Sequence, residues 1–261
     1  MIVPPPLRSV LGLALAGALA LPAAAEETGV GVELVLAVDV SRSMDPAEQT
    51  IQRQGYAEAF RSGEVQEAIL NGGWGRVAVT YVEWAGSWSQ SVLIPWVLID
   101  TGEAAARLAD RIEGARLISA SRTSISSAID FSAKLFDGNG FAWMRRVIDI
   151  TGDGPNNQGR LVTEARDAAE ARGITINGLP LVTDGPQRDA YSNWSTIDGL
   201  DRYYSDCVIG GPGAFAIPVK QWDEFAAAIR QKLVLEIAGW QPDPPERLIR
   251  IQAPADCLIG E

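Results

Sequence analysis

The polar and apolar positions divide most of the chain into alternating strand-like and helix-like stretches. Val32–Val40 is apolar except for Glu33 and Asp39, as expected of a central strand covered on both faces. Asp45-Pro46-Ala47-Glu48 follows and predicts a helix start. Asp is the N-cap, Pro takes the first helical position, and Glu stands three residues after the cap. This helix is expected to run to about Phe60, with a second short one over Glu64–Leu70. Asn71–Gly75, "NGGWG", is a turn. Arg76–Trp84 and Ser89–Ile99 read as an antiparallel strand pair joined through Gly86, at a sheet edge where Pro95 is tolerated. Asp100-Thr101-Gly102-Glu103 reads as another capping box, opening a helix with Leu108 and Ile112 on one face.

A further helix is expected over Thr123–Phe136, with Ile125, Ile129, Leu135 and Phe136 inward. Arg145–Thr151, "RRVIDIT", reads as a strand and "GDGPNNQG" as the loop after it. Arg160–Arg172 is a helix ended by Gly173, and Ile174–Val182 the next strand. Leu200–Cys207 is expected as a short helix and Ala214–Val219 as a last strand. Gln221–Ala238 is an amphipathic helix whose Trp222, Phe225, Ile229, Leu233 and Ile237 recur at helical spacing and belong to a core. Strands alternating with helices predict one α/β domain with a mostly parallel sheet.

The N-terminus stands apart. Arg8 precedes the apolar run Val10–Leu21, then come Pro22 and Ala23-Ala24-Ala25-Glu26. This order reads as a secretory signal peptide over residues 1–25, the run being too short to span a bilayer comfortably. The domain is then expected over residues 26–240, followed by a Pro-rich tail over 241–261 tied back to it. An exported location, periplasmic or extracellular, follows from the leader. No later segment is apolar for long enough to be a transmembrane helix.

Charge and rare residues narrow the chemistry. The net charge is −11, which argues against nucleic acid, whose phosphates need a basic footprint. It argues equally against anionic membrane surfaces. The two cysteines, Cys207 and Cys257, are expected to pair in an exported chain, worth about 4 kcal/mol in the chain-entropy picture. The chain has no histidine. That removes Ser-His-Asp and Cys-His nucleophile systems and all His-ligated metals. A metal here must be held by oxygen, which favours Mg²⁺, with Mn²⁺ and Ca²⁺ as alternatives.

Open parallel sheets bind ligands at the carboxyl ends of their strands. Three loops at such ends carry hard oxygen groups: Asp39-Val40-Ser41-Arg42-Ser43, Ser121-Arg122-Thr123-Ser124, and Gly152-Asp153-Gly154. Two carboxylates and three hydroxyls make a sensible Mg²⁺ shell with several waters kept. Asp39-x-Ser41-x-Ser43, Thr123 in "SRTS" and Asp153 in "GDG" together resemble the metal-ion-dependent adhesion site (MIDAS) of von Willebrand factor type A (VWA) domains. The resemblance extends over about residues 30–240 and looks closest to a branch of secreted bacterial VWA-like proteins. It implies a Rossmann-like three-layer sandwich: a mostly parallel central sheet with one antiparallel edge strand and helices on both faces. It also implies that Ser41 and Ser43 bind the metal directly and Thr123 directly or through water. Asp39 and Asp153 would hold coordinated waters and the serine hydroxyls, and a partner's carboxylate would complete the sphere.

Two departures from the family pattern stand out. Gly152 replaces the common Thr of the third loop, which reads as added flexibility. Asp149 stands inside a strand where many VWA domains carry an apolar residue. It is either a group behind the metal ligands, as Ser124 and Asn156 could be, or a buried, hydrogen-bonded carboxylate. Asn156 and Asn157 read as turn residues beside the site. The leading functional reading is a non-enzymatic binding module that captures a protein partner through an acidic side chain. The alternatives are a metal-dependent hydrolase using Asp149 or Asp153 to activate water, and a metal-independent structural component of the cell envelope.

Overall fold

The structure is a computed structural model that describes residues 26–182, 197–239 and 254–259. The expected signal peptide and most of the expected tail lie outside the described residues. Five strands form one sheet: β1 (Thr28–Asp39), β2 (Val77–Trp84), β3 (Gln90–Ile99), β4 (Phe141–Gly152) and β5 (Ile174–Pro180). Their order is β3-β2-β1-β4-β5. β1 runs parallel to both β2 and β4, β5 is parallel to β4, and only β3 is antiparallel, paired with β2 at the edge. Pro95 lies on that edge strand beside a register shift between Val79 and Val82, where its missing N–H breaks no interior ladder.

Helices cover both faces. On one side lie α1 (Pro46–Arg61), α2 (Gly63–Asn71), α3 (Gly102–Glu113) and α7 (Phe225–Ala238). Their apolar faces meet Leu34, Leu36, Val79 and Tyr81 in one buried cluster that includes Phe60, Leu108, Ile229 and Leu233. On the other side lie α4 (Ile125–Lys134), α5 (Val162–Glu170) and the short α6 (Leu200–Tyr203), which continues as a π-helical turn over Tyr204–Val208. There Val35, Ala37, Ile148 and Ile150 pack with Ile125, Ile129, Ala165 and Tyr204. The period-2 alternation along β1 and β4 thus feeds two cores, as a sheet covered on both faces requires. The expected three-layer α/β sandwich is the observed one.

Local chemistry sets the ends of the elements. Asp45 caps α1 as expected: its carboxylate accepts from Ala47 N and Glu48 N, and Glu48 reaches back to Asp45 N. At α3 the expected cap moves by one residue. Thr101, not Asp100, accepts from Ala104 N. α4 begins two residues later than expected, because Ser124 Oγ accepts from Ser127 N and so acts as its N-cap. The expected last strand, Ala214–Val219, is not a full strand. It runs beside β5 through two isolated parallel bridges, Gly178 to Ala216 and Leu181 to Val219. Pro218 and Pro180 lack the N–H groups that a continuous ladder would need. Cys207 and Cys257 are bonded, with Cα atoms 5.6 Å apart, and Ala255 N donates to Asp206 Oδ2 at 2.9 Å. This fastens residues 254–259 to the turn after α6.

Candidate metal centre

The chain leaves β1 for β2 on one side, and β4 lies on the other. The crevice between the carboxyl ends of β1 and β4 is therefore the topological switch point of the sheet. Asp39 ends β1 and is fully buried. Its Oδ1 accepts from Ser41 N at 2.6 Å, which turns the chain sharply and aims the next hydroxyls back across the crevice. Ser41 Oγ lies 2.8 Å from Ser43 Oγ, and Ser43 Oγ donates to Asp153 Oδ1 at 2.8 Å. Asp39, Ser41, Ser43 and Asp153 are thus linked into one oxygen cluster, from loops more than a hundred residues apart.

The Thr123 loop is held against this cluster from two sides. Ala120 N donates to Val40 O, and Ser124 N to Ala85 O at 2.8 Å. Thr123 itself is clamped at both ends by Asn157: Thr123 N donates to Asn157 Oδ1 at 2.9 Å, and Asn157 N donates to Thr123 O at 2.8 Å. Asn156 Oδ1 accepts from Ser126 N at 2.9 Å, and Ser124 Oγ donates to Gln158 O at 2.7 Å. The two asparagines, read from sequence as turn residues, are instead the bolts that fix the Thr123 loop to the Asp153 loop. Just before these bolts, between the bonds of Ala120 and Thr123, Arg122 is held at φ 75°, the one positive-φ residue other than glycine among the described residues. Such strain persists only where the surroundings over-determine the backbone.

Asp149 is placed differently from the candidate ligands. It lies on β4 facing α1 and α7, fully buried, with Lys232 Nζ 2.7 Å from its Oδ1. Among the described contacts it touches none of the five candidate ligands. It is a buried carboxylate whose partner, Lys232, was hidden in the apolar face of the last helix.

Burial dominates the electrostatics. It holds the Asp39 carboxyl well above the usual range, the Asp153 charge adding to the effect and the Ser41 hydrogen bonds opposing it. Asp153 is pushed up to about 7, again mainly by burial, with the Ser43 hydrogen bond opposing. Two carboxylates brought together with little water around them resist ionisation unless a positive charge joins them. Asp39 Oδ2 is buried without a hydrogen-bond partner, and so is Tyr204 Oη. Among the described residues no three carboxylates, thiols or imidazoles gather as a cation site, so an ion here would lean on hydroxyls and water. The donor set and the orphaned carboxylate oxygen fit a hard divalent cation.

Tyr204 also explains Gly152. A Cβ built on Gly152 would stand 2.8 Å from Tyr204 Oη, 3.1 Å from Asp39 Oδ2 and 3.3 Å from Trp84 Cη2. Gly152 does not have positive φ, so its role is space rather than the flexibility expected from sequence. The phenol fills the room that a side chain in the third loop would take. Gly152→Ala is expected to cost about 1–3 kcal/mol by overpacking. Tyr204→Phe removes the nearest clashing atom, so the double variant should lose less than the sum of the two single losses. Denaturant unfolding of all four proteins checks this, and strict additivity would reject the steric explanation.

The comparisons with known proteins agree with this fold. PTMP1 from the mussel byssus superposes with TM-score 0.58 at 14% identity, over 82% of this chain and 50% of that one. A PTMP1 structure with a zinc-occupied MIDAS motif gives TM-score 0.54 at 16% identity, over 82% and 49%. A von Willebrand factor type A protein from Catenulispora acidiphila gives 0.55 at 12% identity, over 80% and 43%. The chain spans half or less of each of these structures, and at such identities the likeness is one of fold: the domain has the VWA-type fold. A search of curated protein sequences finds no match. The profile of the family described as "Protein of unknown function (DUF1194)" matches residues 29–241, and the chain belongs to that family.

Proposed function

We propose that this protein is an exported, metal-dependent binding module. A divalent cation, Mg²⁺ foremost with Mn²⁺ and Ca²⁺ as alternatives, would be held by Ser41, Ser43 and Thr123, with Asp39 and Asp153 orienting hydroxyls and water around it. The observation that carries this reading is the linked cluster of one fully buried and one partly buried carboxylate with two serine hydroxyls at the switch point, Asp39 Oδ2 being left unpartnered. When bound, the cation supplies a positive centre open to one more carboxylate oxygen. That oxygen would come from an acidic side chain of a protein partner.

The rim supports an acidic partner. Arg42 and Arg122 are exposed beside the cluster and make no ion pair with any described residue, in a chain of net charge −11. Trp88, 93% exposed at the β2–β3 turn, adds a large apolar contact at the same end of the sheet. Ser87 N, beside it, donates to Gln158 Oε1 at 2.9 Å and ties this turn to the loop that carries Asp153. The bonded cysteine pair supports an oxidising, extracytoplasmic location. No helix of the described residues is long and apolar enough to cross a membrane.

Titration calorimetry with Mg²⁺ and Mn²⁺ tests the reading on the wild type and on Ser41→Ala/Ser43→Ala. Saturable heat is expected in the wild type and its loss in the double variant. No metal-linked heat in the wild type, or an unchanged isotherm in the variant, would reject the proposal.

A further inference from the structure

The described residues hold a second cluster of ionisable groups, on the α1 and α7 side of the sheet, that the candidate metal centre does not use. Lys232 and Glu236 stand one helical turn apart on α7, and Asp149 faces them from β4. All three are at most 1% exposed. Lys232 Nζ contacts Glu236 Oε1 and lies 2.7 Å from Asp149 Oδ1. Yet neither oxygen of Asp149 has a partner in hydrogen-bond geometry. The amine is thus against the carboxyl group without the alignment of an ordinary hydrogen bond.

The surroundings restrict what else these groups can do. Asn177 Nδ2 donates to Glu236 Oε1 at 2.9 Å, and Asn177 Oδ1 accepts from Phe215 N at 3.1 Å, so Glu236 is fixed in place. The Phe215 ring lies 5.7 Å from Lys232 Nζ. Tyr56 and Tyr81, buried and edge-to-face at 5.6 Å, line the same core. One ammonium and two carboxylates share a space without solvent, where charge separation is costly and neutral forms gain. Burial raises both carboxyls above their usual range, Glu236 to about 7.

We propose that Lys232 Nζ and Asp149 Cγ join as an intramolecular isopeptide bond, with Glu236 as the proton carrier. One proton passes from the Lys232 ammonium to Asp149, leaving a free amine beside a neutral carboxylic acid. The amine attacks Cγ, forming the N–C bond. Glu236 takes the proton released from Nζ and passes it to the departing hydroxyl. The C–O bond breaks, one water leaves, and Glu236 ends in the state in which it began. No oxidant or cofactor is consumed. Fixed contact between the reacting groups supplies the effective concentration that the condensation needs, and an apolar setting favours the neutral reactants. The product ties α7 covalently to the central sheet, so tension on the chain after α7 would pass into β4 directly. This inference does not depend on metal binding.

Intact mass spectrometry of the reduced, folded protein, with the N-terminus assigned in the same spectrum, tests it. The wild type is expected to be lighter than its sequence by one water. Proteolysis should yield a branched peptide joining the segments that carry Asp149 and Lys232. Lys232→Arg and Glu236→Gln should each restore the full mass and abolish the branched peptide, with folding verified by circular dichroism. A wild type of full mass, or a deficit that survives Lys232→Arg, overturns the proposal; the wild-type mass alone decides it if a variant fails to fold.

Discussion

Lys232→Met should lower the unfolding free energy by at least about 3 kcal/mol, within the range of about 3–5 kcal/mol for breaking a buried ion pair from one side. Methionine matches the stem in length and flexibility, so the loss would not come from a cavity. It would come from leaving Asp149 and Glu236, both buried, without Lys232, which offsets their desolvation as a cation while the chain is unlinked and ties Asp149 covalently once the proposed bond has formed. Adding Asp149→Asn and Glu236→Gln to Lys232→Met removes the two stranded carboxyls and should recover the part of the loss that comes from their burial, leaving only the share of the proposed cross-link. Chemical denaturation of the single and triple variants checks both statements. If the single variant loses less than 1 kcal/mol, or the triple variant is no better than the single, charge burial does not govern this core.

That triad also marks where sequence reasoning reached its limit. The apolar positions of the last helix, Phe225, Ile229, Leu233 and Ile237, were legible from their period and are buried. Lys232 and Glu236 lie on the same stripe, at i and i+4, but charged residues are normally assigned to the wet face. Only their meeting with Asp149 across the sheet makes their burial possible. The strands and their parallel order were legible because two-sided burial leaves near-continuous apolar runs. The segment around Ala216 was not, since two prolines thin its ladder. The three loops that carry Asp39, Thr123 and Asp153 were legible as strand-end oxygen groups. Tyr204 was not, because it reaches Gly152 from a π-helical turn with no local signature. The role of Asn157 was equally hidden: Asn beside a turn is common, and its bonds to Thr123 are set by tertiary contact alone.

Asp39→Asn is expected to make the metal-free protein more stable at pH 8, by about 1–3 kcal/mol on the scale of an uncompensated buried polar or charged group, while abolishing stabilisation by Mg²⁺. Asp39 and Asp153 are held above their unfolded values, so each binds its proton more tightly in the folded state. Their contribution to stability is therefore greatest below the unfolded Asp value of about 4 and is lost as pH rises through the raised folded values, about 7 for Asp153. At pH 8 the metal-free wild type holds an ionised Asp153, raised only to about 7, beside an Asp39 whose burial resists ionisation, and so bears the cost of either a buried charge or an unfavourable proton uptake. The amide keeps the shape and still accepts from Ser41 N through its oxygen, as Asp39 Oδ1 does. Its NH₂ group takes the position of the orphaned Oδ2, close to the unpartnered Tyr204 hydroxyl. The advantage of the variant should shrink at pH 5, where the wild-type carboxyls regain their protons. Cation binding requires those protons to leave, so Mg²⁺ should stabilise the wild type more at pH 8 than at pH 5. Thermal unfolding of both proteins at the two pH values, with chelator and with Mg²⁺, measures all of this. A metal-free variant less stable than the wild type at pH 8 would mean that the carboxylate is satisfied without a cation. A variant still stabilised by Mg²⁺ would place the ion elsewhere. The trade is the one expected of a binding site built against the stability of its own core: the charge that costs the empty domain is the charge that holds the ion.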